Sequence, residues 1–250
     1  MKYFNISSRV GSVCITLPIP SPQTKITRFL LIYIIEMAKP IVIYTAITNR
    51  YDNLKEPLHV VNSADYICFS DCVFKSKIWN IQPIPCTDWG RVRQARYPKI
   101  LPHRFFPEYK ISIWVDGSIK IIGNLEKLIN LYLNKCDFAL CEHSCKRPSI
   151  EAEVKICIKK FKRQKEVFIK QLAAYKNVKF KGPIYETGML LRRHNNIKNA
   201  MEDWWGEVIK YSNRDQISLP YIIWKHSLNI KAITMNVRNN RWTKVIPHGK

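Results

Sequence analysis

The stretch Lys110-Ile111-Ser112-Ile113-Trp114-Val115-Asp116-Gly117-Ser118 reads as an apolar strand that closes on an acid and a turn. A run of this kind, rich in β-branched and aromatic residues, suits a strand covered on both faces. In open α/β sheets the carboxyl edge of such strands is where ligands bind, so Asp116 stands where chemistry is expected. Gly117 lets the backbone turn where a bulky group must approach. An Asp that merely caps the Asp116-Gly117 turn is the alternative.

Outward from this strand the pattern alternates. Ile41 to Thr48 and Asp65 to Ser70 read as earlier strands, and Asp88 to Arg96 as a helix punctuated by Pro98 and Pro102. Asn124 to Leu133 reads as a helix and Phe138 to Cys141 as a short strand. Ile150 to Tyr175 is one long basic amphipathic stretch, Tyr185 to Leu191 a strand, Ile197 to Tyr211 and Asp215 to Lys225 helices, and Ile230 to Met235 a last strand. The alternation predicts an α/β domain with a mostly parallel central sheet flanked by helices, over residues 40–250. Residues 1–39, with Pro18, Pro20, Pro22 and the short apolar run Phe29 to Ile35, read as an N-terminal extension. That run is too short to cross ~30 Å of hydrocarbon.

The 250 residues carry 41 Lys and Arg against 19 acids, a net charge of +22. Such a field favours polyanions, whether nucleic acid, anionic membrane, phosphorylated substrate or acidic glycan, and drift over a solvated surface accounts for it equally well. No nucleic-acid recognition motif accompanies the charge, so no specific nucleic-acid partner is expected. Eight Cys at uneven spacing point to a reducing, cytoplasmic compartment, with at most peripheral contact to an anionic membrane. Cys141, His143 and Cys145 on one strand face would stand ~7 Å apart in steps of two, too far to share one zinc ion.

Arg93, Arg96 and Lys99 recur at steps of three ahead of the strand, a row suited to diphosphate oxygens. A carboxylate such as Asp116 can in turn hold a divalent cation that bridges phosphate oxygens. These residues propose one site on one pyrophosphate.

The run from Gly90 to Ile100, then His103, Phe106-Pro107 and Ile113 to Gly117, resembles the glycosyltransferase-like domain of plant turgor-regulation and mucilage-linked proteins and of bacterial polysaccharide-locus proteins. Tyr44 to Ile47 with Tyr51-Asp52, Asp65 to Asp71, Glu186-Thr187-Gly188, Arg193-His194-Asn195, Trp204-Trp205 and Arg214 to Ser218 are similar to further pieces of it, from about Pro40 to Ile233. The resemblance implies a GT-A type, Rossmann-like fold related to the family 8 hexosyltransferases, a nucleotide-sugar donor and a polysaccharide or glycolipid acceptor. It also implies donor contacts from Thr45, Gly117, Ser118, Thr187, Gly188, Arg214 and Gln216 beside Arg93, Arg96 and Lys99.

Ser118 stands where that family's Asp-x-Asp motif has its second acid. Mn²⁺ or Mg²⁺ would then bind through Asp116 with His226 or His248, or the basic row would replace the cation. Asp215 and Glu186 are the candidates for taking the acceptor's proton. Other readings remain beside these: a helix-terminal or ion-paired Asp215, and a Glu186 that satisfies buried backbone or pairs with Arg192 or Arg193. Competing functions are a ceramide-type lipid hydrolase, for which no serine nucleophile elbow is visible, and a degenerate protein that binds donor without turnover.

Overall fold

The computed structural model describes residues 40–85, 88–177, 180 and 183–247. The expected extension over 1–39 lies outside the described residues, and so does His248. The described residues form one compact unit.

Seven strands form the central sheet: β1 (Ile41–Ile47), β2 (Ala64–Ser70), β3 (Asn80–Pro83), β4 (Ile111–Val115), β6 (Phe138–Glu142), β7 (Tyr185–Arg192) and β8 (Ile230–Ile233). Their spatial order is β3-β2-β1-β4-β7-β6-β8. Only β7 runs against its neighbours, β4 and β6, so the sheet is mostly parallel, as expected. A two-stranded ribbon of β5 (Ile119–Ile121) and β9 (Thr243–Val245) stands apart. β3 and β9 carry no pattern of their own. β3 is a half-exposed edge strand, and β9 is only three residues long.

Every residue of β1 and β4 is buried, because helices or loops cover both faces of the sheet. Side chains alternate between two cores. Ile43, Ile47, Ile113 and Val115 pack with Ile121, Leu125, Leu128 and Trp242 on one face. Val42, Tyr44 and Trp114 pack with Ile100, Leu101, Met201, Trp204 and Ile222 on the other. Each fully buried aliphatic side chain contributes roughly 1.5–3 kcal/mol, so the sheet is held chiefly by these two layers.

Helix α1 (Gly90–Ile100) and the single turn α2 (Pro102–Phe105) precede β4. Helix α3 (Leu125–Tyr132) starts at Asn124, whose side chain accepts from the backbone N–H of Glu126 and Lys127. The expected single helix over Ile150 to Tyr175 is two. α4 (Ile150–Lys160), capped by Ser149, ends at Phe161, and after one 3₁₀ turn α5 (Lys165–Ala174) begins. The break lets Phe168 and Tyr175 fold back onto Ile150, Val154 and Cys157 in a third small core. Helices α6 (Lys198–Lys210) and α7 (Asp215–Lys225) complete the layer.

Helix α1 does not stop before Pro98 but runs through it to Ile100. An interior proline costs about 3 kcal/mol. Burial of Ile100 and Leu101 offsets that cost, as do the hydrogen bonds that Tyr44 Oη and Arg192 Nη2 donate to the Lys99 carbonyl, at 3.2 and 2.8 Å.

Candidate functional site

The edge formed by the carboxyl ends of β1 and β4 and the amino end of β7 holds the acidic centre. Between the pairs Leu140–Leu190 and Cys141–Glu186 the ladder of β6 and β7 slips, leaving Thr187, Gly188 and Met189 without partners on β6. They turn to β4 instead: Met189 pairs with Val115, and Gly188 O accepts from the Asp116 backbone N–H at 2.8 Å. A bulge at this point re-aims the strand beside Asp116.

Asp116 is half-exposed, and one of its oxygens is fixed twice. The Trp114 indole Nε1–H donates to Oδ1 at 2.7 Å, and Lys99 Nζ lies 3.3 Å from the same oxygen. Oδ2 points towards Gly188, where a Cβ would come within 3.5 Å of it. At Gly117 a Cβ would meet Ile47 at 2.9 Å and the Asp52 carboxyl at 3.2 Å, so the loop after β1 closes on this turn.

Lys99 is fully buried, and its ammonium also pairs with Asp215 Oδ2 at 2.7 Å. Arg96 Nε approaches Asp215 Oδ1 at 3.4 Å. Burial disfavours ionised Asp215, but Arg96, Lys99 and Arg214 outweigh it and hold the carboxyl well below the usual carboxylate range. Burial lowers the Lys99 pKa, against the upward pull of Asp116 and Asp215. Asp215 opens α7, where the helix dipole adds to these cations.

Four expectations are corrected. Arg93 does not join the row: its Nε donates to Val208 O at 3.1 Å and its Nη2 to Tyr211 O at 3.0 Å, closing the carboxyl end of α6. Each step of three advances ~300° around a helix, so two steps turn Lys99 ~120° away from Arg93. Lys99 does not line a diphosphate surface either, because no part of it is exposed.

Asp215 is spent on Lys99 and Arg96 and is no accessible base, for a carboxyl held so far down is a poor proton acceptor. His226 lies at the far end of α7, 11 residues and ~16 Å of helix from Asp215, with Nε2 2.7 Å from Asp203 Oδ2.

The other expected residues are spread around the centre. Glu186 is buried and accepts from Ser144 N at 3.1 Å and Ser144 Oγ at 2.6 Å, with Arg238 rather than Arg192 or Arg193 nearby at 3.7 Å. Arg214 donates to Gln216 Oε1 at 2.9 Å and lies 3.7 Å from Glu153, while Gln216 donates to Tyr185 O at 3.4 Å. Thr187 is buried on the bulge. Thr45 is buried within β1, facing by strand alternation the layer of Ile43 and Ile47, and its hydroxyl has no hydrogen-bond partner among the described residues. Ser118 is half-buried and its carbonyl accepts from Ile246 N at 2.8 Å. Arg192 was missed as more than a neighbour of Glu186, since nothing in its spacing reveals the network it enters.

The residues present do not build a protein-only metal cage. Among the described residues no three His, Cys, Asp or Glu side chains converge. Asp116 Oδ2 beside bare Gly188 does fit a divalent ion whose other ligands are diphosphate and water, the usual Mg²⁺ arrangement.

The profile of the TOD1/MUCI70 glycosyltransferase-like domain matches residues 70–246. The chain belongs to that family. It is 26% identical over 219 residues to the probable hexosyltransferase MUCI70 of Arabidopsis thaliana, covering 73% of this chain and 37% of that protein. With the alkaline ceramidase TOD1 of the same plant it shares 23% identity over 227 residues, 75% of this chain and 49% of the other. The chain thus spans half or less of the length of these curated relatives.

Two solved structures are similar in part. The apo form of the bifunctional glycosyltransferase WbbM has a TM-score of 0.47 at 10% identity, over 79% of this chain and 38% of that one. An active-site mutant of LgtC also has 0.47, at 7% identity, over 77% and 72%.

Proposed function

We propose that this TOD1/MUCI70-family domain is a hexosyltransferase that moves a sugar from a nucleoside-diphosphate donor to a glycan or glycolipid acceptor. One observation carries the reading. A half-exposed carboxylate, Asp116, stands at the carboxyl edge of the central sheet with one oxygen tied to Lys99 and Trp114 and the other beside the bare Cα of Gly188.

Breaking the anomeric C–O bond leaves charge on the departing diphosphate, and a preorganised centre that meets this charge is the largest catalytic contribution such a site can make. Trp114 and Lys99 hold Oδ1, so Asp116 need not reorganise when the donor arrives. The missing Cβ at Gly188 keeps a side chain off Oδ2. Arg214 and Gln216 are joined to each other at the start of α7, on either side of the buried Asp215. A Mn²⁺ or Mg²⁺ ion entering with the diphosphate would be held by Asp116 Oδ2 and would supply Lewis-acid charge neutralisation. The net charge of +22 suits a place at an anionic membrane surface, where glycolipid acceptors are met.

The test is a thermal-shift screen of nucleoside diphosphates and nucleotide sugars, with Mn²⁺ or with EDTA, followed by turnover of the donors that bind. A ligand at 100 times its Kd stabilises the native state by about 2.7 kcal/mol. Asp116→Asn, whose amide oxygen still accepts from Trp114, should abolish both donor hydrolysis and transfer with only a small fall in melting temperature. Full activity in that variant rejects the site, and hydrolysis of ceramide with no donor turnover replaces the function by that of a lipid hydrolase.

A further inference from the structure

Arg192, at the end of β7, is a fully buried guanidinium with no carboxylate within 4 Å among the described residues. Taking an isolated cation out of water is expensive, so its surroundings must supply strong compensation. They do so at the two Nη atoms, through the end of α1 and the side chains around it, while Nε has no hydrogen-bond partner among the described residues. Nη2 donates to the Lys99 carbonyl at 2.8 Å and to Tyr44 Oη, Nη1 approaches Met201 Sδ at 3.6 Å, and the guanidinium lies 5.9 Å from the centre of the Phe138 ring. Tyr44 Oη donates to the same Lys99 carbonyl at 3.2 Å. The last carbonyls of a helix carry its negative dipole end, which suits a buried cation.

Lys99 is therefore gripped at both ends, its carbonyl by Arg192 and Tyr44 and its ammonium by Asp116 and Asp215. A second route leads to the same carboxylate. The Tyr44 ring packs edge-on against Trp114 at 5.3 Å, and Trp114 donates to Asp116 Oδ1. The next residues continue the grip on the segment that follows α1: His194 Nε2 donates to Phe106 O at 2.8 Å and Asn195 Nδ2 to Pro107 O at 3.0 Å.

We infer that Arg192 and Tyr44 are positioning residues: through the Lys99 carbonyl and the Trp114 ring they set where the Lys99 ammonium and Asp116 Oδ1 sit. Neither touches the half-exposed side of Asp116, so both act on chemistry only through these two residues. The consequence for turnover rests on the transferase reading, whereas the consequence for geometry does not.

Tyr44→Phe is the informative variant, since it removes the hydroxyl and keeps the ring and its packing. Arg192→Lys is the companion. Two readouts are taken on the full chain, well below its melting temperature: the indole N–H resonance of Trp114, assigned by its loss in Trp114→Phe, and steady-state kinetics with a donor that the parent turns over. The expected result is a displaced Trp114 resonance and a roughly tenfold lower kcat at nearly unchanged donor KM, about the net contribution of a hydrogen bond.

A lower melting temperature with the resonance and kcat both unmoved would overturn the inference, because a purely structural network predicts that pattern. Should the parent turn over no nucleotide sugar while Tyr44→Phe still displaces the Trp114 resonance, the transferase reading fails and the positioning role stands. If Arg192→Lys does not fold, Tyr44→Phe decides alone.

Discussion

Lys99 Nζ lies 2.7 Å from Asp215 Oδ2, with each side chain only 1% exposed, and this pair joins the end of α1 to the start of α7 behind Asp116. Removing one partner of a buried pair strands the other, which typically costs 3–5 kcal/mol, roughly. Lys99 keeps Asp116 as a second acceptor, so the lower end applies to Asp215→Ala: a loss of about 3 kcal/mol in urea unfolding. Asp215→Asn, which still accepts a hydrogen bond, should lose less. Equal stability of both variants and the parent would remove this pair from the framework of the site.

Arg93 separates phosphate binding from helix capping. Its two hydrogen bonds to Val208 O and Tyr211 O should make Arg93→Met less stable by about 1–3 kcal/mol while leaving the affinity for any nucleoside diphosphate unchanged. Calorimetric titration together with a melting curve checks both halves. A large fall in affinity with no change in stability would return Arg93 to the binding site.

Two glycines make opposite predictions. At Gly123 a Cβ would sit 2.3 Å from the Arg241 carbonyl oxygen, a backbone atom that cannot swing aside. Gly123→Ala should therefore cost at least ~2 kcal/mol, measured by chemical denaturation. At Gly188 the nearest atoms would be Ile119 at 3.3 Å and Asp116 Oδ2 at 3.5 Å, so Gly188→Ala should fold almost as the parent does. It should nevertheless weaken donor binding, because the added methyl fills the space beside Oδ2.

His194 makes stability depend on pH. Burial lowers its pKa from 6.5 to about 4, and in the fold its Nε2–H donates to Phe106 O. Between those two values the unfolded chain binds the proton and the folded one does not. The stabilisation is thus complete above pH 6.5 and is lost as pH falls through about 4, a total on the order of 3 kcal/mol. Urea midpoints measured from pH 7 to pH 4 should fall in the parent and fall less in His194→Asn. Parallel profiles would show that another group carries the acid sensitivity.

Thiol reactivity should follow burial. Desolvation pushes both Cys68 and Cys141 up to about 12, while Cys145 is exposed. Brief alkylation at pH 8 followed by peptide mass mapping should label Cys145 and spare Cys68 and Cys141 until the protein is unfolded. Rapid labelling of Cys141 in the native state would contradict its place in the sheet.

Much of the sheet was legible because local pattern and tertiary fate agree where a strand is buried on both faces. Ile41 to Ile47 and Ile111 to Val115 have no polar face to offer water, and both are central strands. Edge strand β3 and short β9 are fixed by partners distant in sequence, and so left no signal. Pro98 misled in the other direction. Its local penalty is real, but Lys99 and Ile100 recover it through contacts from β1 and β7 that no window of sequence contains.

By itself the sequence determined the alternation of strands and helices, a mostly parallel sheet, and an acid at the carboxyl end of β4, all consequences of residue type and spacing along one chain. The tertiary structure alone decided which cation reaches that acid. Arg93, Arg96 and Lys99 are equivalent in spacing, yet a helix turns each step away from the last, and only the placement of α6 and α7 around α1 sends Arg93 to a helix end and Lys99 to Asp116 and Asp215. Burial completes the division, since a lysine sealed from water can hold carboxylates in place but cannot meet a substrate.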